Sequence, residues 1–162
     1  MQKVAVAIAL LLSLPVMAAK PAIDRDPLDS EMTVFVVETG ADGQEHLMQR
    51  EHADSGQVLE YHLLYKNANN QPLKFTRVQT IVPKGTVYVP GSDRAEVEAL
   101  FKVSIDGGKT FELEPVKRER DSEQGKETYV VDETAYTHLM WENKRVIRPR
   151  QSWLFTFRVK VK

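Results

Sequence analysis

Several sets of side chains in this chain have the types and spacing for chemistry. In Ser104-Ile105-Asp106-Gly107-Gly108-Lys109-Thr110-Phe111 a carboxylate stands two residues after one hydroxyl and four before another. Such a carboxylate can hold a cation or a sugar hydroxyl, or it can accept hydrogen bonds from the amides of its own turn. The four imidazoles are His46, His52, His62 and His138, and no two form a His-x-x-x-His pair. A zinc or copper site would need His46 and His52 to approach each other or His62 across strands. Asp24, Asp26, Asp29 and Glu31 gather oxygen ligands near one end, without the glycine-containing spacing of a calcium loop. Ser55, Ser92, Ser104 and Ser122 lack a nucleophile elbow, there is no cysteine, and no carboxylate pair stands out for glycoside chemistry. These patterns point away from an enzyme and imply no catalytic residue, cofactor or metal.

One further cluster suits binding. Trp141 precedes Lys144, Arg145, Arg148 and Arg150, an indole beside four cations that would meet an acidic partner or an anionic polymer. The competing expectation is a strand that buries Trp141 and runs into a solvated loop. The 104–111 segment resembles the Asp-box hairpin of sialidase-like propellers and other secreted β-proteins, where it is structural. One such box is too little for a propeller, and a turn is expected: Asp106 caps amides, Gly107 and Gly108 supply unusual backbone angles, Thr110 closes the turn and Phe111 anchors it. Nothing resembles the aromatic platform of an RNA-binding sheet, and no nucleic-acid partner is expected.

The elements that must position these residues are read next. Val4–Val16 is almost wholly apolar after Lys3, and Val16-Met17-Ala18-Ala19 offers small residues for processing. Residues 1–19 are expected to be a cleavable signal peptide, since the run is short for a bilayer span of about 20 residues. No later segment could span a membrane as a helix. The expectation is export, to the periplasm first, with secretion or surface attachment as alternatives. Formal charge is 22 cations against 23 carboxylates, and 21 against 23 once Lys3 is removed. Nothing in that balance steers the molecule to nucleic acid. Residues 20–30 form an extended lead-in, and 31–162 form one domain.

Within that domain the period is two. Leu59, Tyr61, Leu63 and Tyr65 alternate with Val58, Glu60, His62, Leu64 and Lys66. In the last strand Trp153, Phe155, Phe157, Val159 and Val161 alternate with Leu154, Thr156, Arg158, Lys160 and Lys162. Leu73 and Phe75 take one face and Val78, Thr80 and Val82 the other, so a bulge is expected near Arg77. Residues 117–126 read as a charged mobile loop. Residues 93–99 fit either a helical turn or a loose edge. Ala99–Ile105 and Thr110–Glu114 are expected to form a hairpin. Eight or nine short strands separated by Gly, Pro, Asn and Asp make an all-β antiparallel sandwich.

The residues Gly56, Leu59-Glu60-Tyr61, Tyr65-Lys66-Asn67, Ile81-Val82-Pro83 and Gly85-Thr86-Val87-Tyr88-Val89-Pro90-Gly91-Ser92 resemble the bacterial conserved-repeat domain of unknown function 11. The resemblance implies an Ig-like sandwich, here as a single exported domain. It also implies a structural or protein-interaction role in the cell envelope, with an envelope or surface protein as partner. Pro90, Gly91 and Ser92 are expected to make a corner of the fold. A carbohydrate or envelope-polymer binding module is the alternative function, with a glycan as partner.

Overall fold

The computed structural model describes residues 28–74, 77–123 and 125–162, so the expected signal peptide and the lead-in as far as residue 27 lie outside the described residues. The described residues are all-β with antiparallel pairing throughout, plus one 3-10 turn at Glu133–Ala135. The strands are β1 Leu28–Thr39, β2 Glu45–Met48, β3 Val58–Asn67, β4 Leu73–Lys74, β5 Arg77–Ile81, β6 Thr86–Tyr88 and β7 Arg94–Ala95. There follow β8 Ala99–Ser104, β9 Lys117–Ser122, β10 Gly125–Val130, β11 His138–Asn143, β12 Val146–Ile147 and β13 Ser152–Val161. The larger sheet runs β2-β1-β3-β13-β6, with β7 also on β13; the facing sheet runs β5-β11-β8, and β12-β4 and β10-β9 are separate pairs.

Alternation along β3 and β13 builds the core. Trp153, Phe155, Phe157 and Val159 are buried, while Leu154, Thr156 and Arg158 between them are only partly covered. Direct opposition of Phe155 with Leu63 and Phe157 with Tyr61 keeps one face apolar across both strands. From the facing sheet, Trp141 on β11 meets Phe155 and Phe157 at ring separations of 5.7 and 6.2 Å. Val78, Val103 and Leu139 close the same core. Each fully buried large apolar side chain contributes roughly 1.5–3 kcal/mol, which is how the domain holds together without a disulfide.

Several expectations are corrected. The first strand begins at Leu28, inside the expected 20–30 lead-in, because Leu28 lies opposite Asn67 and β1 continues along the β3 ladder. Residues 117–126 are not a loop. Lys117–Ser122 and Gly125–Val130 pair as a two-stranded ribbon, β9 with β10, whose exposed cross-strand charges complement one another: Arg120 reaches Glu127 at 3.0 Å and Lys126 reaches Glu119 at 3.6 Å. Opposite charges across a ladder favour pairing that composition alone does not reveal. The return leg after Thr110 is a single bridge, Val103 with Glu112, instead of a full strand. Of the two readings open for residues 93–99 the edge is the one observed, since Arg94 and Ala95 pair with Thr156 and Phe155. Thirteen strand segments are described where eight or nine were expected.

One reason for the excess is an irregularity shared by two strands. Glu142 lies opposite Arg77 and Val146 opposite Lys74, so one chain advances four residues while the other advances three. The extra residue falls within 143–145, across from the expected position near Arg77. Leu73 and Val78 both reach the core despite their odd spacing, which a regular strand forbids.

Candidate functional site

The Asp-box segment folds on itself. Asp106 Oδ1 accepts from the backbone N–H groups of Lys109 and Thr110 at 3.0 Å each and from the Ser104 hydroxyl at 2.7 Å. Its Oδ2 accepts from the Thr110 hydroxyl at 2.7 Å. Ser104 Oγ in turn accepts from Gly108 N–H at 2.9 Å. Gly108 has φ 83°, and a Cβ there would approach the His138 ring to 3.1 Å, so the position requires glycine twice over. Phe111 is half-buried behind the turn. Both carboxylate oxygens are engaged by the turn itself.

The same bonds set the electrostatics. The Thr110 N–H, then the Thr110 and Ser104 hydroxyls and the Lys109 N–H, hold the Asp106 carboxyl well below the usual range. A depressed carboxyl stabilises above its unfolded pKa, and that contribution is lost as pH falls through the folded value. The Thr110 and Lys109 amides are therefore expected to keep their slow hydrogen exchange through the ordinary carboxylate range and lose it only in stronger acid. Exchange measured by NMR down the pH scale checks this; loss of protection at the titration point of a free aspartate would contradict it.

The other showy segment is also a corner. Tyr88 is 1% exposed. Gly91 takes φ 69°, and Ser92 Oγ donates to Val89 O at 2.6 Å while accepting from Arg158 N–H at 3.0 Å. Pro90 is exposed at the turn tip. Ser92 thereby ties the turn to β13.

The basic cluster is built without its indole. Trp141 is 1% exposed, so the indole belongs to the core and cannot meet a partner. Lys144 and Arg145 sit on the turn between β11 and β12, and Arg145 pairs with Glu98 at 3.1 Å. Arg148 and Arg150 lie on the next turn, beyond β12, where Arg150 takes φ 63° and donates to Asn70 Oδ1 at 2.9 Å. The strand that buries Trp141 and leads into solvated turns is what is observed.

Three of the histidines have their own neighbours. His62 Nε2 lies 2.8 Å from Glu60, His46 lies 3.7 Å from Asp42, and His138 Nδ1 lies 3.1 Å from the Thr137 hydroxyl. Among the described residues no group of three His, Cys, Asp or Glu side chains could hold a metal ion. Of the acidic lead-in, Asp24 and Asp26 lie outside the described residues, and Asp29 and Glu31 are exposed on β1.

Two arrangements escaped sequence reasoning. The first is an ion network on the outer face of the large sheet. Arg158 forks onto Glu45 at 2.8 and 3.1 Å and donates through Nε to Glu60 at 2.7 Å, while His62 stands between Glu60 and the Phe35 ring, 4.9 Å from the latter. Hydrogen bonding by Arg158 lowers Glu45. Burial pushes Glu60 up, but His62 and Arg158 outweigh it and the net direction is down. The network fastens the β1–β2 hairpin to β13. The outward positions of Glu60 and Arg158 were visible in the alternation, but their partner Glu45 was not.

The second is a pair of open sheet edges. β1 pairs with β3 along Leu28–Val37, but β2 covers only Val36–Thr39 on its other side. Among the described residues, 29–35 thus have a ladder on one side alone. Met32, on that edge, is 59% exposed although its opposite number Leu63 is buried. β5 likewise ends the smaller sheet, and Ile81 at its end is 58% exposed. An edge strand presents unpaired N–H and C=O groups that accept another strand. The surface depressions nearby are open; the lining of the one beside β5 includes Ile81, Val82, Pro83, Tyr136, Lys84 and Lys162 and no aspartate or glutamate.

No known family model, no curated protein and no solved structure matches this chain.

Proposed function

We propose that the chain is an exported, Ig-like interaction domain of the bacterial envelope that binds protein by strand addition and performs no catalysis. The observation that carries this reading is the edge of β1, where among the described residues 29–35 ladder on one side alone and Met32 is largely exposed. The export half rests on residues 1–19, whose charge and apolar run fit a signal peptide. The Ig-like half rests on the antiparallel two-sheet core together with the Tyr88-to-Ser92 corner. The motif segments that first suggested binding use their polar atoms internally, which moves recognition to the edges. Main-chain pairing would supply affinity and alternate side chains would supply specificity.

Met32→Lys is the test. A lysine on an edge discourages strand addition, and this position is exposed, so folding is expected to survive. Capture from intact envelope with the tagged wild-type chain should retain a discrete protein that Met32→Lys loses, at unchanged Tm and far-UV circular dichroism. Loss of that protein with Lys144→Glu and Arg145→Glu, and retention with Met32→Lys, would overturn the edge reading in favour of the basic turns.

A further inference from the structure

We infer that the partner for the open β1 edge is the open β5 edge of a second copy of this chain, so that the domain assembles head to tail. This rests on the edge reading above and adds the identity of the occupant.

Charge selects the pairing. Residues 29–35 carry Asp29 and Glu31 and no cation. From Lys74 to Gly85 the β5 side carries Lys74, Arg77 and Lys84 and no carboxylate. Pairing β1 with β1 would bring four carboxylates to one seam, and β5 with β5 would bring cations together; like charges directly opposite are destabilising. Pairing β1 with β5 brings opposite signs together. Arg77 keeps only a 4.0 Å approach to Glu142 within its own chain and is largely exposed.

Pattern selects a register. Glu31-Met32-Thr33-Val34-Phe35 and Arg77-Val78-Gln79-Thr80-Ile81 are both charged at the start and apolar at the end. Laid parallel, Glu31 stands beside Arg77, Thr33 beside Gln79 and Phe35 beside Ile81 on one face. Met32 stands beside Val78 and Val34 beside Thr80 on the other. The faces agree with those each strand already shows. Glu31, Thr33 and Phe35 lie opposite Leu64, His62 and Glu60 on the outer face, and Arg77 lies opposite Glu142 on the outside of the smaller sheet. Met32 and Val78 are on the core sides, opposite Leu63 and Trp141. The two most exposed apolar residues of these edges, Met32 and Ile81, are both covered by the pairing. Because the two surfaces differ, the contact is heterologous and extends beyond a dimer unless the rotation closes a ring.

The test is assembly state by sedimentation velocity over a concentration series, using the chain from residue 20 onward. Wild type is expected to show species larger than a dimer that grow with concentration. Met32→Lys alone and Ile81→Lys alone are each expected to stay monomeric, with unchanged circular dichroism. An equimolar mixture of the two is expected to give dimers and nothing larger, since each copy keeps one working edge. A wild-type chain that stays monomeric at every concentration overturns self-pairing, as does a mixture that forms no dimer while wild type assembles. If wild type is monomeric yet Met32→Lys still loses its captured envelope protein, the self-pairing fails and the edge reading stands; if that capture is also unaffected, both fail.

Discussion

Trp141→Ala is expected to lower stability by about 3–5 kcal/mol without touching any partner contact of the folded fraction. The side chain is 1% exposed and packs against Phe101, Phe155 and Phe157 at ring separations of 5.3, 5.7 and 6.2 Å. Truncation removes the joint between the two sheets and leaves a cavity that rigid neighbouring strands cannot fill. At about 3 °C per kcal/mol the melting temperature should fall by roughly 10–15 °C. Among the described residues the buried indole Nε1 has no hydrogen-bond partner. Trp141→Phe should therefore cost far less, because it discards an unsatisfied donor along with part of the ring. Thermal melts of the two variants check this; an alanine variant of wild-type stability that loses a partner would return Trp141 to the surface.

Asn67→Asp is expected to cost about 3 kcal/mol or more near neutral pH, although it changes one atom. Asn67 is 0% exposed, and its Nδ2 donates to Gln71 O at 2.8 Å and to Ile147 O at 3.1 Å, while Oδ1 accepts from Asn69 N–H at 2.9 Å. These bonds close the loop after β3 and hold β12 against it. An aspartate carboxylate has no N–H to donate and would face two carbonyl oxygens in a buried site. Burial and those oxygens raise its folded pKa above the unfolded one. The sign follows: the variant regains stability as pH falls through the folded pKa and loses it as pH rises. Denaturant melts of variant and wild type between pH 4 and 7 should show a gap that widens upward. A gap independent of pH would mean that lost shape, and not the buried charge, sets the cost.

Much of this was legible in the sequence because it rests on local pattern. The alternation in β3 and β13 separated Tyr61, Leu63, Phe155 and Phe157 from Glu60 and Arg158, since a strand has only two faces. Asp106 was legible as a cap, since its partners lie within four residues, whereas the bond from Asn67 to Ile147 O, 80 residues away, was not. The β9–β10 ribbon was not, because its stability depends on which charges meet across the ladder and no apolar alternation marks it. Glu45 and Arg158 are 113 residues apart and meet only after β2 folds over the sheet. The open edges were the least legible. Asp29, Glu31 and Met32 read the same in a central strand or a terminal one, and only the sheet order shows that β2 stops short of them.

The most direct measurement of the claim that this domain acts through its sheet edges is site-specific photocrosslinking in intact cells. A photoreactive residue is placed singly at Met32, Ile81, Ser92, Gly107 or Tyr129, and the adducts are resolved by mass. The result expected is discrete adducts at Met32 and Ile81, with none at the Ser92 and Gly107 turns or on the β10 ribbon. Adducts confined to the turns or the ribbon, with Met32 and Ile81 unreacted, would contradict it.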